Sequence, residues 1–282
     1  MKYYLKEHTI YSHCCQKDIH IVHISDLHES EVNDKDFLYD LFQKIAYLNP
    51  NYICFTGDLF DNAACTLDAS ITSRIKLWLE SLGTIAPVLL IRGNHDCLSF
   101  PDKLYFESKA FFESLNDIPN VHALIGNKFK DDEKTFVGLD LQDKALEYYE
   151  ESKEGQRAFQ EYVTPNLNKI KEELDPEALN ILLFHSPVHI LDEMHEEYTL
   201  LLSGHMHNGA LPPIMDKIIP GHSGLLAPVE GYFPDNARGI KTVSDTSLVI
   251  APPLVMNRKR QNNPLIRKLY KPGIECITLK KK

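Results

Sequence analysis

An α/β fold is predicted for this chain of 282 residues from three observations. Short apolar runs alternate with amphipathic helical stretches through the first half, strand-like runs dominate the second half, and several of the runs end abruptly in polar residues. With 43% apolar residues the chain can bury a sizeable core, and it is read as one domain covering 1–282.

The runs His20–Ser25, Tyr52–Thr56 and Pro87–Ile91 have the length and β-branched or apolar content of buried strands. Between the first two, Phe37, Leu38, Leu41, Phe42 and Ile45 form one stripe of a helix over Asp36–Leu48. Between the second and third, Ile71, Ile75, Leu77, Trp78 and Leu82 do the same over Ser70–Leu82. Phe100–Leu115 reads as a further helix. Strands then recur at Val121–Leu124, Thr135–Leu139, Leu179–Phe184, Thr199–Ser203, Ser247–Ile250 and Glu275–Leu279. The stretch Gln142–Glu177 carries ten acids against five bases; it reads as a helical insertion, most simply a solvated outer helix or helix pair, with a lid over a site as the alternative.

Forty acidic against thirty basic residues give a formal charge of -10, which disfavours a partner held by phosphate-backbone electrostatics, so extended nucleic acid is not the expected substrate. The six cysteines include no C-x-x-C pair, so neither a zinc ribbon nor a disulfide framework is indicated, and a reducing compartment fits. The start, "MKYYLKEHTIYSHCC", lacks the apolar core of a signal peptide. No window approaches the roughly 18 apolar residues of a membrane span. A soluble, cytoplasmic protein is expected.

In open α/β sheets ligands gather beyond the carboxyl ends of strands, where loops are free of core packing. Five such ends here carry residues that bind metals. The first gives "SDLH", with Asp26 and His28 two apart, a spacing that in extended chain sends both side chains the same way. The second gives "TGDLFD", with Asp58 and Asp61, and the third "RGNHD", with Asn94, His95 and Asp96. The fourth is "LLFHSP", where His185 ends an apolar run, and the fifth "LLSGHMHNG", with His205 and His207. Glycine precedes Asp58, Asn94 and His205, which permits the tight backbone that swings a ligand off a strand end.

Singly, each piece has an ordinary structural reading: an incidental pair, a hydrogen-bonded core histidine, a turn. Together they bring three oxygen donors (Asp26, Asp58, Asn94) and four imidazoles (His28, His185, His205, His207) toward one crevice. Seven ligands exceed one tetrahedral ion and suit two ions that share a carboxylate. The nitrogen-rich set favours manganese, iron or zinc over calcium or magnesium, with manganese preferred here.

The ordered set "SDLH", "GDLFD", "GNHD", "FHSP" and "GHMH" resembles the calcineurin-like metallophosphoesterases, over His20 to Leu279. The resemblance implies a sandwich of two mixed β-sheets flanked by helices. It also implies that Asp26, His28 and His207 hold one divalent ion, that Asn94, His185 and His205 hold the other, and that Asp58 bridges them. Two such ions roughly 3.5–4 Å apart can hold a hydroxide and attack phosphorus in line. The ending "PLIRKLYKPGIECITL" resembles a bacterial subgroup of soluble or wall-associated phosphohydrolases, with relatives acting on UDP-diacylglucosamine-like lipids. The chain departs from that subgroup in reading "GHMHNGA" for Gly-His-Thr-His-Gly-Gly-Gln and "IAPPLVMN" before the last strand.

The leading functional reading is a dinuclear phosphohydrolase, as a phosphodiesterase, acting on a phosphorylated small molecule or a lipid-linked phosphate. His95 would donate to the phosphoryl group or protonate the leaving oxygen. Asp96 would orient and charge it, or cap the following turn. A non-catalytic scaffold of the same fold and a nuclease are the alternatives. Arg92 reads as a salt-bridged edge residue rather than a phosphate clamp, Asp61 as a partner of a ligand histidine or a helix cap, and Cys97, Asn208 and His222 receive no role. The basic run Asn257–Lys271, with six Lys or Arg, reads as a solvated loop, or as an attractor for an anionic substrate.

Overall fold

The computed structural model describes residues 3–30, 35–97, 103–140, 161, 164–165, 168–172, 174–187, 197–212, 215, 221–227, 231–232, 237–255 and 272–282. The expected insertion 142–177 lies largely outside them, and the basic segment 258–271 wholly so.

The first sheet is built from β1 (Tyr4–Ser12), β2 (Ile19–Ile24), β3 (Tyr52–Thr56), β4 (Val88–Ile91), β5 (Val121–Ala123) and β14 (Gly273–Lys281). Its order is β1-β14-β2-β3-β4-β5. β2 to β5 run parallel, and β14 is antiparallel to β2 but parallel to β1. The second sheet comprises β6 (Lys128–Asp131), β7 (Lys134–Gly138), β8 (Leu179–Leu183), β9 (Leu200–Ser203), β12 (Gly239–Val243) and β13 (Thr246–Ile250), in the order β12-β13-β9-β8-β7-β6. A short ribbon pairs β10 (Leu226–Ala227) with β11 (Gly231–Tyr232).

The two mixed sheets face each other across one apolar layer. Ile19, Ile21, Cys54, Leu89 and Ile91 of the first meet Phe136, Ile181, Leu183, Leu200 and Val249 of the second. Alternate residues Val22, Ile24, Ile53, Phe55, Val88 and Leu90 point the other way, into a layer covered by α1 (Lys35–Leu48) and α2 (Ala69–Gly83). Burial on both faces is why these strands read as unbroken apolar runs. α2 starts where Asp68 accepts from the amides of Ser70 and Ile71, the usual device for satisfying a first turn. Leu77, expected on its buried stripe, is exposed instead; the helix turns Ile75, Trp78, Leu79 and Leu82 inward.

The nine strands expected from the sequence are all present, with ends shifted by one or two residues. β1, β6, β10, β11 and β12 were not foreseen. β6 and β12 are half-exposed edge strands of polar composition. β1 turns Lys6, His8 and Ser12 to the same side as the buried Ile10, so it lacks the apolar alternation that would announce it. α4 (Lys103–Ser114) occupies most of its expected span. No helix among the described residues is long and apolar enough to cross a membrane, and the six cysteines are in no disulfide.

Arg92 corrects the reading of an edge residue. It is fully buried, donates from Nε and Nη2 to the two carboxylate oxygens of Asp140 at 2.9 and 2.7 Å, and donates to the Tyr105 hydroxyl at 3.0 Å. Such a fork is a strong, directional pair. Removing one partner leaves a buried charge alone, so Arg92→Met should lower the unfolding free energy by about 3–5 kcal/mol, and the double variant Arg92→Met/Asp140→Leu should recover most of the loss. Urea unfolding measures both; a single-variant loss below about 1 kcal/mol would show that the pair contributes little.

Candidate metal centre

The carboxyl ends of β2, β3 and β4 in one sheet and of β8 and β9 in the other open onto the same crevice. The loop after β2 runs alongside the loop after β3, with the amides of Asp26, His28 and Glu29 donating to the carbonyls of Gly57, Asp58 and Leu59. The amide of Gly204 donates to the His185 carbonyl, which joins the two loops of the second sheet in the same way.

Asp26, His28, Asp58, His205 and His207 have φ of 56°, 49°, 55°, 67° and 48°. Asp26 and His28 therefore reach the crevice through left-handed backbone, not by the extended spacing expected, and His205 and His207 reach it the same way toward different groups of side chains. For residues with a Cβ this backbone costs about 1–2 kcal/mol each. Five such residues in one crevice are the kind of concentrated strain found at functional sites. The preceding glycines also serve differently from expectation. Gly57 takes a positive φ of 90°, whereas Gly93 and Gly204 are required by close approach: a Cβ on Gly93 would lie 2.2 Å from Oδ1 of Asp58, and one on Gly204 would lie 1.9 Å from Oγ of Ser25.

Each buried carboxylate is divided between two tasks. Asp58 Oδ1 accepts the His95 amide at 2.8 Å, and Asp26 Oδ2 accepts the His205 amide at 3.2 Å. Their other oxygens, Asp58 Oδ2 and Asp26 Oδ1, are buried with no hydrogen-bond partner, as are both ring nitrogens of His28. Nε2 of His185 lies 3.3 Å from Asp58 Oδ2, Nε2 of His207 lies 3.2 Å from Asp26 Oδ1, and Nε2 of His28 is 3.9 Å from both oxygens.

His185 gives the chemistry of the gap most clearly. Its Nδ1 is 2.6 Å from the Thr56 carbonyl, which can only accept, so the ring proton sits there and Nε2 presents a lone pair. That lone pair faces Asn94 Oδ1 at 3.0 Å as well as Asp58 Oδ2. Two oxygens and a ring nitrogen thus converge on one point, which either a second ring proton or a bound cation would satisfy.

The electrostatics agree. Burial opposes charge on His185, but Asp58 and Asp26 outweigh it and raise the imidazole to about 9. Burial pushes His28 down to about 4 against the pull of Asp58, and burial with the nearby His185 takes His205 to about 3. Burial would raise Asp26, yet His207 and His185 hold it at about 2; Asp58 is held well below the usual carboxylate range, again against burial, by His185 and His28. Two anions beside imidazoles, of which burial holds His28 and His205 neutral, form a donor set suited to a divalent cation.

Among the described residues, three groups of side chains could hold a metal ion: Asp26, His28 and His207; Asp58, His185 and His205; and His28, Asp58 and His95. All seven expected ligands lie in the crevice, which Asn94 joins through His185. The orphaned oxygens, the facing lone pairs and the nitrogen-rich donor set fit two transition-metal ions.

His95 and Asp96 stand in α3 (Asn94–Cys97), a single turn that was not foreseen. His95 directs Nδ1 to the Asp61 carbonyl at 2.7 Å and sets its ring edge-on to His28, with centroids 4.8 Å apart. Burial lowers its basicity, but Asp58 and the Asp61 carbonyl raise it more, and the net shift is upward. Asp61 thus acts through its main chain, and Asn62 caps the turn that follows.

Asp96 does not hydrogen-bond the His95 ring, although its charge adds to the upward shift of that ring. Its carboxylate is buried and accepts the amides of Leu59 at 3.2 Å, Phe60 at 2.8 Å and Gly93 at 2.8 Å. It ties the loop carrying Asp58 to the loop carrying Asn94. The supporting roles of Asp96, Thr56 and the Asp61 carbonyl could not be read from sequence, because two of the three are main-chain oxygens and the third acts on backbone 36 and 37 residues away.

A family model described as calcineurin-like phosphoesterase matches residues 19–209. The chain is 26% identical over 201 residues to an uncharacterized metallophosphoesterase of Campylobacter jejuni, covering 71% of this chain and 47% of that protein. It is 30% identical over 105 residues to the UDP-2,3-diacylglucosamine pyrophosphatase LpxG of Chlamydia muridarum, covering 37% and 29%. The chain thus spans less than half the length of these relatives. Among solved structures, the phosphopantetheinyl hydrolase PptH of Mycobacterium tuberculosis covers 86% of this chain and 92% of its own, at 13% identity and a TM-score of 0.46.

The corrected role of Asp96 has a spectroscopic consequence. In Asp96→Asn the amide resonances of Leu59, Phe60 and Gly93 should shift, while the Nδ1 proton of His95, bonded to Asp61, should stay in place. Movement of the His95 signal with the three amides undisturbed would restore the direct role. Asp96→Ala should cost about 1–3 kcal/mol of stability for each amide left without an acceptor.

Proposed function

Because the chain belongs to the calcineurin-like phosphoesterase family, as its match over residues 19–209 shows, we propose that it is a dinuclear phosphodiesterase. Asp26, His28 and His207 would hold one divalent ion, Asn94, His185 and His205 the second, and Asp58 would serve both. The observation that carries this reading is the convergence of Asp58 Oδ2, Asn94 Oδ1 and the His185 Nε2 lone pair. Two ions bound there would supply Lewis-acid activation of water and charge neutralisation at the phosphate.

The protein's own groups do the rest. Asn94 supplies a neutral oxygen, which keeps the net negative charge low enough to admit a phosphate. His95, held through Nδ1 by Asp61, turns Nε2 toward the crevice beside His28. There it donates to the phosphoryl oxygen or protonates the leaving oxygen. Asp96 keeps the loops bearing Asp58 and Asn94 at fixed separation.

A diester is favoured over a monoester by charge. Arg92, the cation beside the motif in sequence, is turned away into Asp140, and the groups facing Asp26 and Asp58 are imidazoles. A singly charged phosphate suits that lining better than a dianion. For the substrate class we propose a phosphorylated small molecule or a lipid-linked phosphate, the latter supported by the resemblance to the LpxG segment. Manganese is the preferred metal, with iron or zinc the alternatives. The basic run 258–271 is proposed to help attract the anion.

After reconstitution with manganese, iron or zinc, close to two ions should be bound per chain, and a bis-aryl phosphodiester should be cleaved faster than the matching monoester. No bound ion and no turnover would return the chain to the scaffold reading; faster monoester cleavage would overturn the diesterase assignment alone. Asp58→Asn should lower both metal occupancy and rate. His95→Ala should keep both ions and lose about 10²–10⁴-fold in kcat on esters with alkoxide-like leaving groups, and less on activated aryl esters. A loss that is the same for every leaving group would remove the acid role and leave His95 as a donor to the phosphoryl oxygens.

A further inference from the structure

We propose that Lys6, on the first strand and 202 residues away in sequence from its partner, is a positioning residue that holds the ligand His207 in place by clamping the left-handed turn that begins there. The proposal rests on the reading of His207 as a metal ligand.

His207 opens a run of four residues with positive φ: 48° at His207, 56° at Asn208, 61° at Gly209 and 53° at Ala210. A continuous left-handed turn is the backbone that L-residues resist, and only Gly209 takes it without a Cβ penalty. Something outside the turn has to hold it. The His207 side chain is 19% exposed, against 0–6% for Asp26, Asp58, His28 and His185. Asp26 at 3.2 Å and the edge-on His28 ring hold its imidazole, and the backbone of the turn sets where that imidazole starts from.

Asn208 is where the turn is gripped. It is buried, and both ends of its amide are used: Nδ2 donates to the Leu211 carbonyl at 3.0 Å, and Oδ1 accepts from Nζ of Lys6 at 3.1 Å. The first bond is local and closes the turn on itself. The second reaches across from β1, the edge strand of the opposite sheet. Around it, the Gly209 amide donates to the Met206 carbonyl and the Leu225 amide to the Gly209 carbonyl, both at 2.8 Å.

β1 is itself firmly placed for this task. It pairs with β14 over nine residues, from Tyr4↔Gly273 to Ser12↔Lys281. Two residues beyond Lys6, His8 meets the buried Glu275 at 2.6 Å. Lys6 stands opposite the same Glu275 in the strand register. The clamp thus links the first strand to the loop that carries a ligand of the ion held by Asp26 and His28.

The test compares wild type, Lys6→Met and Lys6→Arg by competitive zinc titration and by amide hydrogen exchange of the protein treated with chelator. Lys6→Met should weaken one of two zinc sites by about 10–100-fold, the usual effect of removing a group that orients a ligand, while leaving the other site within about threefold. It should also speed exchange of the Gly209 and Leu211 amides with unfolding stability little changed. Lys6→Arg, which can still donate to Asn208, should restore both readouts. Equal weakening of both sites together with a general loss of stability would overturn the proposal, as would unchanged exchange at Gly209 and Leu211. Absence of zinc binding in wild type would instead refute the metal reading, and the exchange data would still decide whether Lys6 holds the turn.

Discussion

Two buried carboxylates that each keep one oxygen out of hydrogen bonding are the constraint on which the rest of this structure depends. Asp58 and Asp26 give Oδ1 and Oδ2, respectively, to backbone amides of a different loop, and so fix where the second oxygen points. The second oxygens then face imidazoles across 3.2–3.9 Å. Among the described residues no protein donor is hydrogen-bonded to them, and an orphaned buried anion is tolerated only where something compensates it. A pair of divalent ions, as the proposed function has it, would do so, and the features around the crevice fit that role.

The fold supplies this by bringing two sheets together with their strand ends at one mouth. Five ligands in left-handed backbone represent about 5–10 kcal/mol of conformational cost, comparable to the whole stability of a domain at about 5–15 kcal/mol. The hydrogen bonds between loops offset it: three amides of the β2 loop on the β3 loop, three amides on Asp96, and the His185 carbonyl on Gly204. Loops that grip each other need close approach, which is why a Cβ at Gly93 or Gly204 would strike a neighbouring loop. Apolar layers on both sides of β2 to β4 provide the rigid base.

Most of the strands, and the residues that the structure gathers at the crevice, were legible in the sequence because their signals are local. Each apolar run buried on both faces is continuous, and each ligand follows one, so polarity changes mark the strand ends where Asp26, Asp58, Asn94, His185 and His205 stand. What escaped depends on distant partners. β1 carries Lys6 and His8 on its inward side because it serves a polar neighbourhood near the crevice, and that erased its alternation. Leu77 sits at helical spacing with its buried neighbours yet faces outward, since α2 contacts the sheet over a narrower stripe than the periodicity suggests. The role of Asp96 was misread because adjacency in sequence to His95 says nothing about direction: in the turn Asn94–Cys97 the two side chains diverge, one to the crevice and one into the protein. Left-handed backbone at aspartate and histidine leaves no mark in composition at all.

The central claim is that two ions share Asp58. Anomalous diffraction from manganese-soaked crystals tests it most directly. The account predicts two peaks about 3.5–4 Å apart, one bounded by Asp26, His28 and His207 and the other by Asn94, His185 and His205, with Asp58 in contact with both. A single peak, or two peaks with Asp58 bound to only one of them, would contradict it.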